Sequence, residues 1–506
     1  MIKEIEDFIQ NTTMYRLIEL YLAALIVIAV ILGFFGLINI NPWLLILFTL
    51  FISVSSYVTN AVLQEIFNVP INKESFLISA FILALIITPV MSFSIVMFAF
   101  WASVWSMASK FIFTINKKHI FNPVAIALVI TGVFLKITPS WWVGTFFMLP
   151  FVVIGGYFIV KKIRRFDLVI SFISSTLLIT FIYSIITKQS LLFAAQTSIV
   201  ASPILFFSTV MLTEPLTTPP SSRKRIIYGV ITGIVFNPLF QIGSIYSTPE
   251  LALCVGNIYS YLVSPKEKLL LTLKRKEKIS NDSYDFIFEN TPKLNFNAGQ
   301  YMEWTLPNEN SDDRGNRRYF TLASSPTENE LRVGIKFNDN PSTYKKQLLE
   351  MDDSSTIVAS SLSGDFILPE NKDEKLVFIA GGIGITPFRS MIKYLIDTKE
   401  KRDIVLIYSC RKKEDFVYQK IFEQAKEHFG LKVFYAISNT QSVPSDWTGL
   451  VGYVDEKMLK ECVPDFNERM FYLSGPQKLV TSFKDKLTQM GVDRFSIMTD
   501  YFPGFN

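Results

Sequence analysis

The sequence predicts a polytopic α-helical membrane domain of about ten transmembrane helices, fused to an antiparallel β-barrel and then to a doubly wound α/β domain. Three observations predict it. Residues 1–265 are a succession of long apolar runs, whereas residues 266–506 have the Lys, Asp and Glu content of a soluble protein. Residues 266–370 hold short alternating segments with little helix between them, the pattern of antiparallel strands. Residues 371–506 alternate apolar strand-like runs with helical ones, the pattern of a parallel sheet.

The formal charge of +5 is small for 506 residues. Basic loops beside membrane helices explain it better than a nucleic-acid surface, and no nucleic-acid partner is expected. Cys254, Cys410 and Cys462 are far apart, so they build no disulfide framework, zinc knuckle or four-Cys iron–sulfur site. With only His119 and His428 present, a pair of haems held by four His is excluded, and no metal site is expected. The start, MIKEIEDFIQNTTMYR, is acidic and mixed, unlike the basic n-region of a cleaved signal peptide, and reads as a cytoplasmic lead-in.

Apolar segments begin near Leu17, Pro42, Phe76, Phe93, Asn122, Val143, Leu168, Leu191, Ile226 and Leu251. The third and tenth are short against a bilayer core of about 30 Å. So many runs leave too little polar surface for a soluble core. Lys73, then Lys110, Lys117 and Lys118, then Lys161, Lys162, Arg164 and Arg165, then Arg223, Lys224 and Arg225 follow the even-numbered segments. The loops after odd-numbered segments carry only Lys136 and Lys188, and Lys266 and Lys268 follow the tenth segment. This asymmetry predicts a multi-pass protein of the cytoplasmic membrane, embedded in the lipid bilayer, with both termini cytoplasmic.

Breaks recur among these helices: FNPVAIALVITG (121–132), LTEPLTTPP (212–220) and FNPLF (236–240). Broken backbone inside a membrane is tolerated only where it is buried or lines a cavity, so Asn122, Pro123, Thr213, Glu214 and Pro215 are candidate cofactor-binding residues, against the plain alternative of helix ends and kinks. Glu19, Lys110 and Glu214 lie near helix ends, and nothing resembles a chain of buried carboxylates for ion pumping. The FNPVAIALVITG start and the run LTEPLTTPPSSRKRIIYGVITG make residues 20–260 resemble the B subunit of the sodium-pumping NADH:quinone reductase and the D subunit of the Rnf complex. That resemblance implies a flavin, FMN or another, within the membrane half. In the family an FMN is esterified to a Thr shortly before the Thr-Asp/Glu-Pro motif. Here SIVASPILFFSTV (198–210) places Ile204 at that position, which speaks against covalent attachment, and Thr197 would serve only after a register shift.

In the soluble half, LLLTLKRKEKIS, SYDFIFENTP, FNAGQYMEWTLP (296–307, with Gly299 between strands), RRYFTLASSP (317–326), LRVGIKF (331–337) and TIVASSLSGDFILPE (356–370) read as the short strands of a small closed barrel, with one helix at STYKKQLLEM (342–351). KLVFIA (375–380), DIVLIYS (403–409), LKVFYAIS (431–438) and MFYLS (470–474) read as buried strands. Helical patterns at Pro387–Asp397, Glu414–His428 and Pro476–Met490 alternate with them. The first strand–helix turn is AGGIGITPF (380–388). Gly381, Gly382 and Gly384 let backbone amides approach a ligand, Thr386 can cap the helix, and Pro387 suits its first position. Free amides at a helix start suit the pyrophosphate of a dinucleotide, although a Gly-rich turn alone is weak evidence.

Across residues 268–506 the chain resembles the ferredoxin–NADP reductase superfamily. RYFTLAS (318–324) is similar to that family's Arg-x-Tyr-Ser flavin motif, with Phe320 for Tyr and Thr321 for Ser. The resemblance implies FAD, with Arg318 on its pyrophosphate, Phe320 on the isoalloxazine and Thr321 near N5; Tyr319 and Ser324 complete the stretch. GIKFNDNPSTY (334–344) falls where a second flavin phosphate turn occurs, which nominates Ser342 and Thr343. SGPQKLV (474–480) is similar to the family's Cys-Gly-Pro motif, with Ser474 in place of Cys beside the nicotinamide, followed by Gly475 and Pro476. In DYFPGF (500–505), Phe502 offers an aromatic cover for the flavin. Arg411 can meet the 2′-phosphate of NADPH or belong to a solvated basic surface with Lys412 and Lys413, so NADH and NADPH both stay open.

The expected function is therefore a membrane flavin oxidoreductase with domains 1–265 (electron transfer), 266–370 (FAD) and 371–506 (NAD(P)). Thr321 and Ser474 are its candidate catalytic residues. Electrons from NADH or NADPH pass through FAD to a membrane-domain flavin, then to a quinone or an extracytosolic flavoprotein acceptor. The alternatives are a quinone reductase working at the cytoplasmic leaflet, a haem-containing ferric reductase with His119 as its sole membrane histidine, and a solute channel or transporter with a regulatory reductase-like domain.

Overall fold

The computed structural model describes residues 8, 12–67, 73–115, 118–200, 202–237, 241–242, 245–264, 268–291, 293–306 and 316–501. Phe502, Lys117, Lys266 and the Pro238–Phe240 part of the FNPLF break lie outside the described residues. The chain forms two compact units, Met1–Lys268 and Leu269–Asn506.

The N-terminal unit is helical: α1 (Met14–Phe34), α2 (Pro42–Phe67), α3 (Lys73–Ile86), α4 (Phe93–Ile112), α5 (Pro123–Leu135), α6 (Leu149–Ile163), α7 (Phe166–Ile186), α8 (Leu191–Val200), α9 (Ser222–Val235) and α10 (Pro249–Val263). Among the described residues, four of these, α1, α2, α4 and α7, are long and apolar enough to cross a membrane, not the ten expected. The others run to 15 residues at most. At 1.5 Å per residue that is about 22 Å, short of a core of about 30 Å. Apolar composition alone did not show where the backbone breaks. Helix α3 stops at Ile86, ahead of Pro89, and α5 ends at Lys136 in a left-handed conformation (φ 55°). The run expected from Val143 becomes helical only at Leu149, and the run from Leu191 halts at Val200 before resuming as a short α–π segment over Ile204–Met211. Helix α1 buries Leu17, Ile18, Leu22, Leu25, Ile26 and Ala29, while Val27, Ile31 and Phe34 are apolar and exposed. An apolar outer face of this kind suits lipid rather than water.

Small residues set the closest helix contacts. A Cβ on Gly229 of α9 would lie 2.2 Å from Ser171 Oγ of α7, and one on Gly233 would lie 2.1 Å from Ser175 Oγ. The GVITG run thus acts as a small-xxx-small face against α7.

In the C-terminal unit, β1 (Leu269–Lys278), β2 (Ser283–Glu289), β3 (Tyr301–Thr305), β4 (Arg317–Thr321), β5 (Glu330–Lys336) and β6 (Thr356–Ser363) form one antiparallel sheet, with α11 (Thr343–Glu350) between β5 and β6. Its strand order is β4-β3-β6-β1-β2-β5. The two outer strands meet just past β4, where Ala323 N–H donates to Arg332 O (2.8 Å). The core is built by period-two alternation: Leu269, Leu271 and Leu273 on β1, Phe286 and Phe288 on β2, Val333 and Ile335 on β5.

A second, parallel sheet has the order β10-β9-β8-β7-β11-β12, from β7 (Leu376–Gly381), β8 (Ile404–Cys410), β9 (Lys432–Ile437), β10 (Leu450–Val451), β11 (Met470–Ser474) and β12 (Ile497–Asp500). Its helices are α12 (Thr386–Thr398), α13 (Gln419–Phe429), α14 (Glu456–Cys462) and α15 (Gln477–Gln489). The chain steps from β7 outward to β10 and then returns to β11 on the opposite side of β7. The strand order therefore reverses between β7 and β11, the place where open α/β sheets take ligands at their carboxyl ends. The expected helix from Glu414 begins only at Gln419. Phe416 is pulled out of helical register by stacking on Trp447 (5.7 Å, 5°), and Tyr418 is left-handed (φ 62°).

Candidate functional site

The antiparallel register pairs Met302 with Phe320 and Trp304 with Arg318, so Arg318 and Phe320 share one face of β4 while Tyr319 and Thr321 take the other. Arg318 places its guanidinium 4.9 Å from the ring centre of Tyr344, the second residue of α11. Ser342 caps that helix, its Oγ accepting from Lys345 N–H (3.4 Å), and Thr343 is the first helical residue. A cation and a helix N-terminus, nominated separately from sequence, are thus brought together, and both favour phosphate. Phe320 is buried in the lobe core beside Tyr344, with ring centres 6.2 Å apart, rather than displayed as an open platform. Tyr319 hydroxyl donates to Glu303 Oε2 (2.8 Å), and Thr321 is buried opposite Tyr301. Ser324 Oγ accepts from Arg332 N–H (3.1 Å), helping to hold the ends of the sheet together.

In the parallel sheet, β7 closes on Gly381 and a 3-10 turn, Gly382–Ile385, leads into α12. This turn packs backbone to backbone against the turn after β11. A Cβ on Gly384 would lie 2.5 Å from Gly475 Cα and 2.6 Å from Gly475 N, and one on Gly381 would lie 2.6 Å from Leu479 Cδ1. Gly382 differs: its φ is +53° and a Cβ there would meet nothing within 4 Å, so its backbone faces open space. The glycines therefore divide into two that let the loops touch and one that leaves the turn accessible. Thr386 is not the helix cap expected of it, because its Oγ1 donates back to Ile383 O (3.2 Å) instead of accepting from the first amides. Pro387 follows within the first turn, where its missing N–H removes no helical bond. Ser474 is buried and in register with Ala380 and Asp500, and Pro476 directly precedes α15. Arg411 is exposed just past β8, two residues beyond Ser409, which pairs with Gly381.

Sequence reasoning missed the join between the two sheets. Arg389 of α12 makes a bidentate pair with Glu328 (2.7 and 3.0 Å) and donates to Ala323 O (2.6 Å). Ser390 Oγ donates to Ser324 O (2.6 Å). Asp285, fully buried on β2, accepts from Arg332 (2.6 Å) and from the Tyr418 hydroxyl. A signal existed for the first contact: Arg389 interrupts the apolar start of α12 and is itself buried. Nothing in the sequence marked Tyr418.

Burial pushes the Asp285 carboxyl up. Burial also works to raise Glu328, but the Arg389 bonds prevail and hold it below the usual carboxylate range. A carboxylate with a lowered folded-state pKa contributes stability above its unfolded value, about 4.3, and loses it as pH falls through the folded value. Glu328→Gln should therefore destabilise the protein by about 1–3 kcal/mol near pH 7. The difference should shrink on acidification in thermal unfolding of the two proteins, and a pH-independent difference would refute this origin.

In the N-terminal unit the two break motifs meet. Asn122 caps α5, its Oδ1 accepting from Val124 and Ala125 N–H (both 3.1 Å), with Pro123 as first helical residue. Its Nδ2 donates to Glu214 Oε2 (2.8 Å), and its backbone N–H donates to Asn257 Oδ1 (2.7 Å). Glu214 also accepts from Thr217 (3.2 Å) and lies 3.6 Å from His119 Nε2. Thr213 is buried and donates to Thr209 O (2.8 Å); Pro215 is half-buried. The ion pair of buried Arg225 with half-buried Asp167, at 2.8 Å, was not foreseen. Among the described residues no group of three or more His, Cys, Asp or Glu is placed to hold a metal.

Residues 378–485, spanning β7 to α15, match the family described as the oxidoreductase NAD-binding domain. The class defined by this match is an oxidoreductase with an NAD-binding domain, carried in the C-terminal unit. Relatives include the flavohemoproteins of Oceanobacillus iheyensis (28% identical over 222 residues; 42% of this chain and 53% of the relative) and Bacillus subtilis (26% over 242 residues; 47% and 60%). The reductase subunit of glycine betaine monooxygenase from Pseudomonas aeruginosa is 31% identical over 120 residues, 24% of this chain and 33% of the relative. The chain thus spans about half the length of the flavohemoproteins it matches. Among solved structures, the FAD/NAD-binding domain of nitric oxide dioxygenase from Vibrio cholerae aligns at 21% identity with a TM-score of 0.40, covering 46% of this chain and 97% of that one.

Proposed function

We propose that this protein is a membrane-bound flavin oxidoreductase that draws electrons from NADH or NADPH into FAD and passes them on through its N-terminal half. The observation that carries the reading is the apposition of Gly384 and Gly475 at the strand-order reversal, inside the stretch that matches the NAD-binding domain. Residues 371–506 serve the nicotinamide nucleotide, and residues 266–370 form a closed barrel for FAD. When bound, the flavin supplies the chemistry that accepts two electrons from a nicotinamide and returns them singly. The chain's own residues bind and orient. Arg318 with Ser342 and Thr343 holds the flavin phosphates, and Thr321 and Tyr319 lie on the opposite strand face from Arg318. The open backbone at Gly382 receives the nucleotide pyrophosphate, Ser474 with Gly475 and Pro476 borders the nicotinamide, and Arg411 stands where a 2′-phosphate would be met. Phe502 is the candidate cover.

The N-terminal half is proposed to cross the membrane several times with both termini cytoplasmic, supported by the basic clusters at 161–165 and 223–225 and by the uncharged segment 35–41. Its carrier is proposed to be a flavin near the joined Asn122 and Glu214 motifs, held without the covalent ester expected of the sodium-pumping reductase and Rnf subunits. Ile204, buried and without a nucleophilic atom, cannot be esterified. Two relatives are named a flavohemoprotein and a monooxygenase reductase subunit, which supports onward delivery to a further redox group; a quinone or an extracytosolic flavoprotein is the acceptor proposed here.

The purified protein should show a flavin spectrum that NADH or NADPH bleaches, and counting flavins before and after acid precipitation should find none covalently attached. A colourless protein, or solute flux without NAD(P)H oxidation, would sink the reading. Arg318→Ala should weaken FAD binding about 10- to 100-fold, the scale of a lost charge-assisted contact of roughly 1.5–3 kcal/mol. Equilibrium dialysis against FAD checks it.

A further inference from the structure

Asp285, Gly334, Thr386 and Tyr418 converge where the antiparallel sheet meets the parallel one. Gly334 on β5 is the register partner of Asp285 on β2. A Cβ on Gly334 would lie 2.7 Å from the Tyr418 hydroxyl oxygen, 2.8 Å from Thr386 Cγ2 and 3.2 Å from Asp285 Oδ1. The missing side chain is therefore what admits the phenol to Asp285 and lets the start of α12 rest on β5. Asp285 is held on its other oxygen by Arg332, and the Tyr418 ring lies under the Arg389 guanidinium at 5.5 Å. Tyr418 is also left-handed, with φ 62° and ψ 16°. For a residue with a side chain this costs roughly 1–2 kcal/mol and persists only where the surroundings over-determine it. Here the surroundings are the buried bond to Asp285 and the Arg389 contact. Thr386 directly follows the Gly382–Ile385 turn, so whatever fixes Thr386 against β5 also fixes that turn against the flavin-side sheet.

We propose that the Tyr418–Asp285 bond, seated in the space left by Gly334, is the positioning element that sets the Gly382–Thr386 turn, and so the nicotinamide, at its working distance from the flavin. Tyr418 and Asp285 are positioning residues; the phenol keeps its proton and takes no part in bond making. The inference rests on the NAD(P)H-to-FAD reading above. Orientation of two reactants is worth orders of magnitude in rate, and displacement by about 1 Å can cost 100-fold.

Tyr418→Phe keeps the ring under Arg389 and loses only the bond, whereas Gly334→Ala leaves Tyr418 intact and evicts its hydroxyl. In full-length protein both variants should retain FAD and cooperative unfolding. Both should show faster hydrogen–deuterium exchange of the 382–390 amides, with β8 and β9 unchanged. Flavin bleaching at saturating NADH or NADPH should slow about tenfold or more, with KM moving far less. Asp285→Asn, which still offers the phenol an acceptor, should retain more of the 382–390 protection than Asp285→Ala. Wild-type exchange and bleaching rates in both Tyr418→Phe and Gly334→Ala would overturn the proposal. Loss of FAD or of cooperative unfolding in Tyr418→Phe would also overturn it, by making the pair a stability element. A wild-type protein that binds FAD but is bleached by neither nucleotide would refute the NAD(P)H reading instead, and the exchange measurements would then judge the latch by themselves.

Discussion

Replacing Gly384 with alanine will cut NAD(P)H-driven flavin reduction by about 100-fold while leaving bound FAD near its original level. The new Cβ would stand 2.5 Å from Gly475 Cα, 2.6 Å from Gly475 N and 2.6 Å from Ser474 C. These are backbone atoms, so no rotamer change relieves the clash. The turn after β7 or the turn after β11 must move by about 1 Å to restore ordinary contact, at a stability cost of about 1–3 kcal/mol. Both turns border the proposed nicotinamide position, so the displacement falls directly on the distance that governs transfer. The proposed FAD contacts at Arg318, Ser342 and Thr343 belong to other elements and are not disturbed. Gly382→Ala is the instructive contrast for stability. Its Cβ meets open space, so only the positive φ is penalised, by about 1 kcal/mol. Stopped-flow bleaching with thermal unfolding of both variants checks this. A folded Gly384→Ala protein reducing its flavin at the wild-type rate would show that the two turns do not form the nucleotide site.

Glu214→Leu is expected to destabilise the N-terminal unit by about 2–4 kcal/mol. The carboxylate accepts from the Asn122 side chain and from Thr217, and it faces His119 at 3.6 Å. Asn122 and Thr217 are buried, so both lose a partner where water cannot replace it. The loss also propagates, because Asn122 is at once the cap of α5 and, through its N–H, the partner of Asn257 on α10. Glu214→Gln keeps an acceptor for the Asn122 amide and should cost about half as much. Thermal unfolding of detergent-solubilised protein, followed through Trp141 and Trp142, provides the measurement. Equal Tm values for Glu214→Leu and wild type would mean that the two motifs are joined only incidentally.

The candidate site was unevenly legible in the sequence. Strand–turn–helix order around AGGIGITPF was readable because hydrophobic periodicity and Gly and Pro placement are local properties. The division of labour among Gly381, Gly382 and Gly384 was not, since it depends on Gly475 and Leu479, about ninety residues away. Arg318 and Ser342 were each nominated, yet their convergence at the start of α11 follows from the strand pairing that sets β4 in place. Thr386 was misjudged as a cap because its residue type suits one, whereas the preceding 3-10 turn offers its hydroxyl a carbonyl instead. Ten membrane segments were expected from apolar runs and, among the described residues, four long helices emerged, because composition records hydrophobicity but not where a left-handed residue or a proline ends a helix.

By itself the sequence determined the split between an apolar half and a soluble half, the antiparallel and then parallel order of the soluble half, and the glycine turn that opens its nucleotide domain. Each of these is written in periodicity and composition over a few neighbouring residues. Only the tertiary structure decided that Gly384 touches Gly475, that Asn122 meets Glu214, and that Tyr418 gives up helical geometry to reach Asp285 through the gap at Gly334. These contacts join residues far apart in the chain, and their energy comes from excluding water around close-packed backbone and paired polar groups, a condition that exists only once the sheets and helices are assembled.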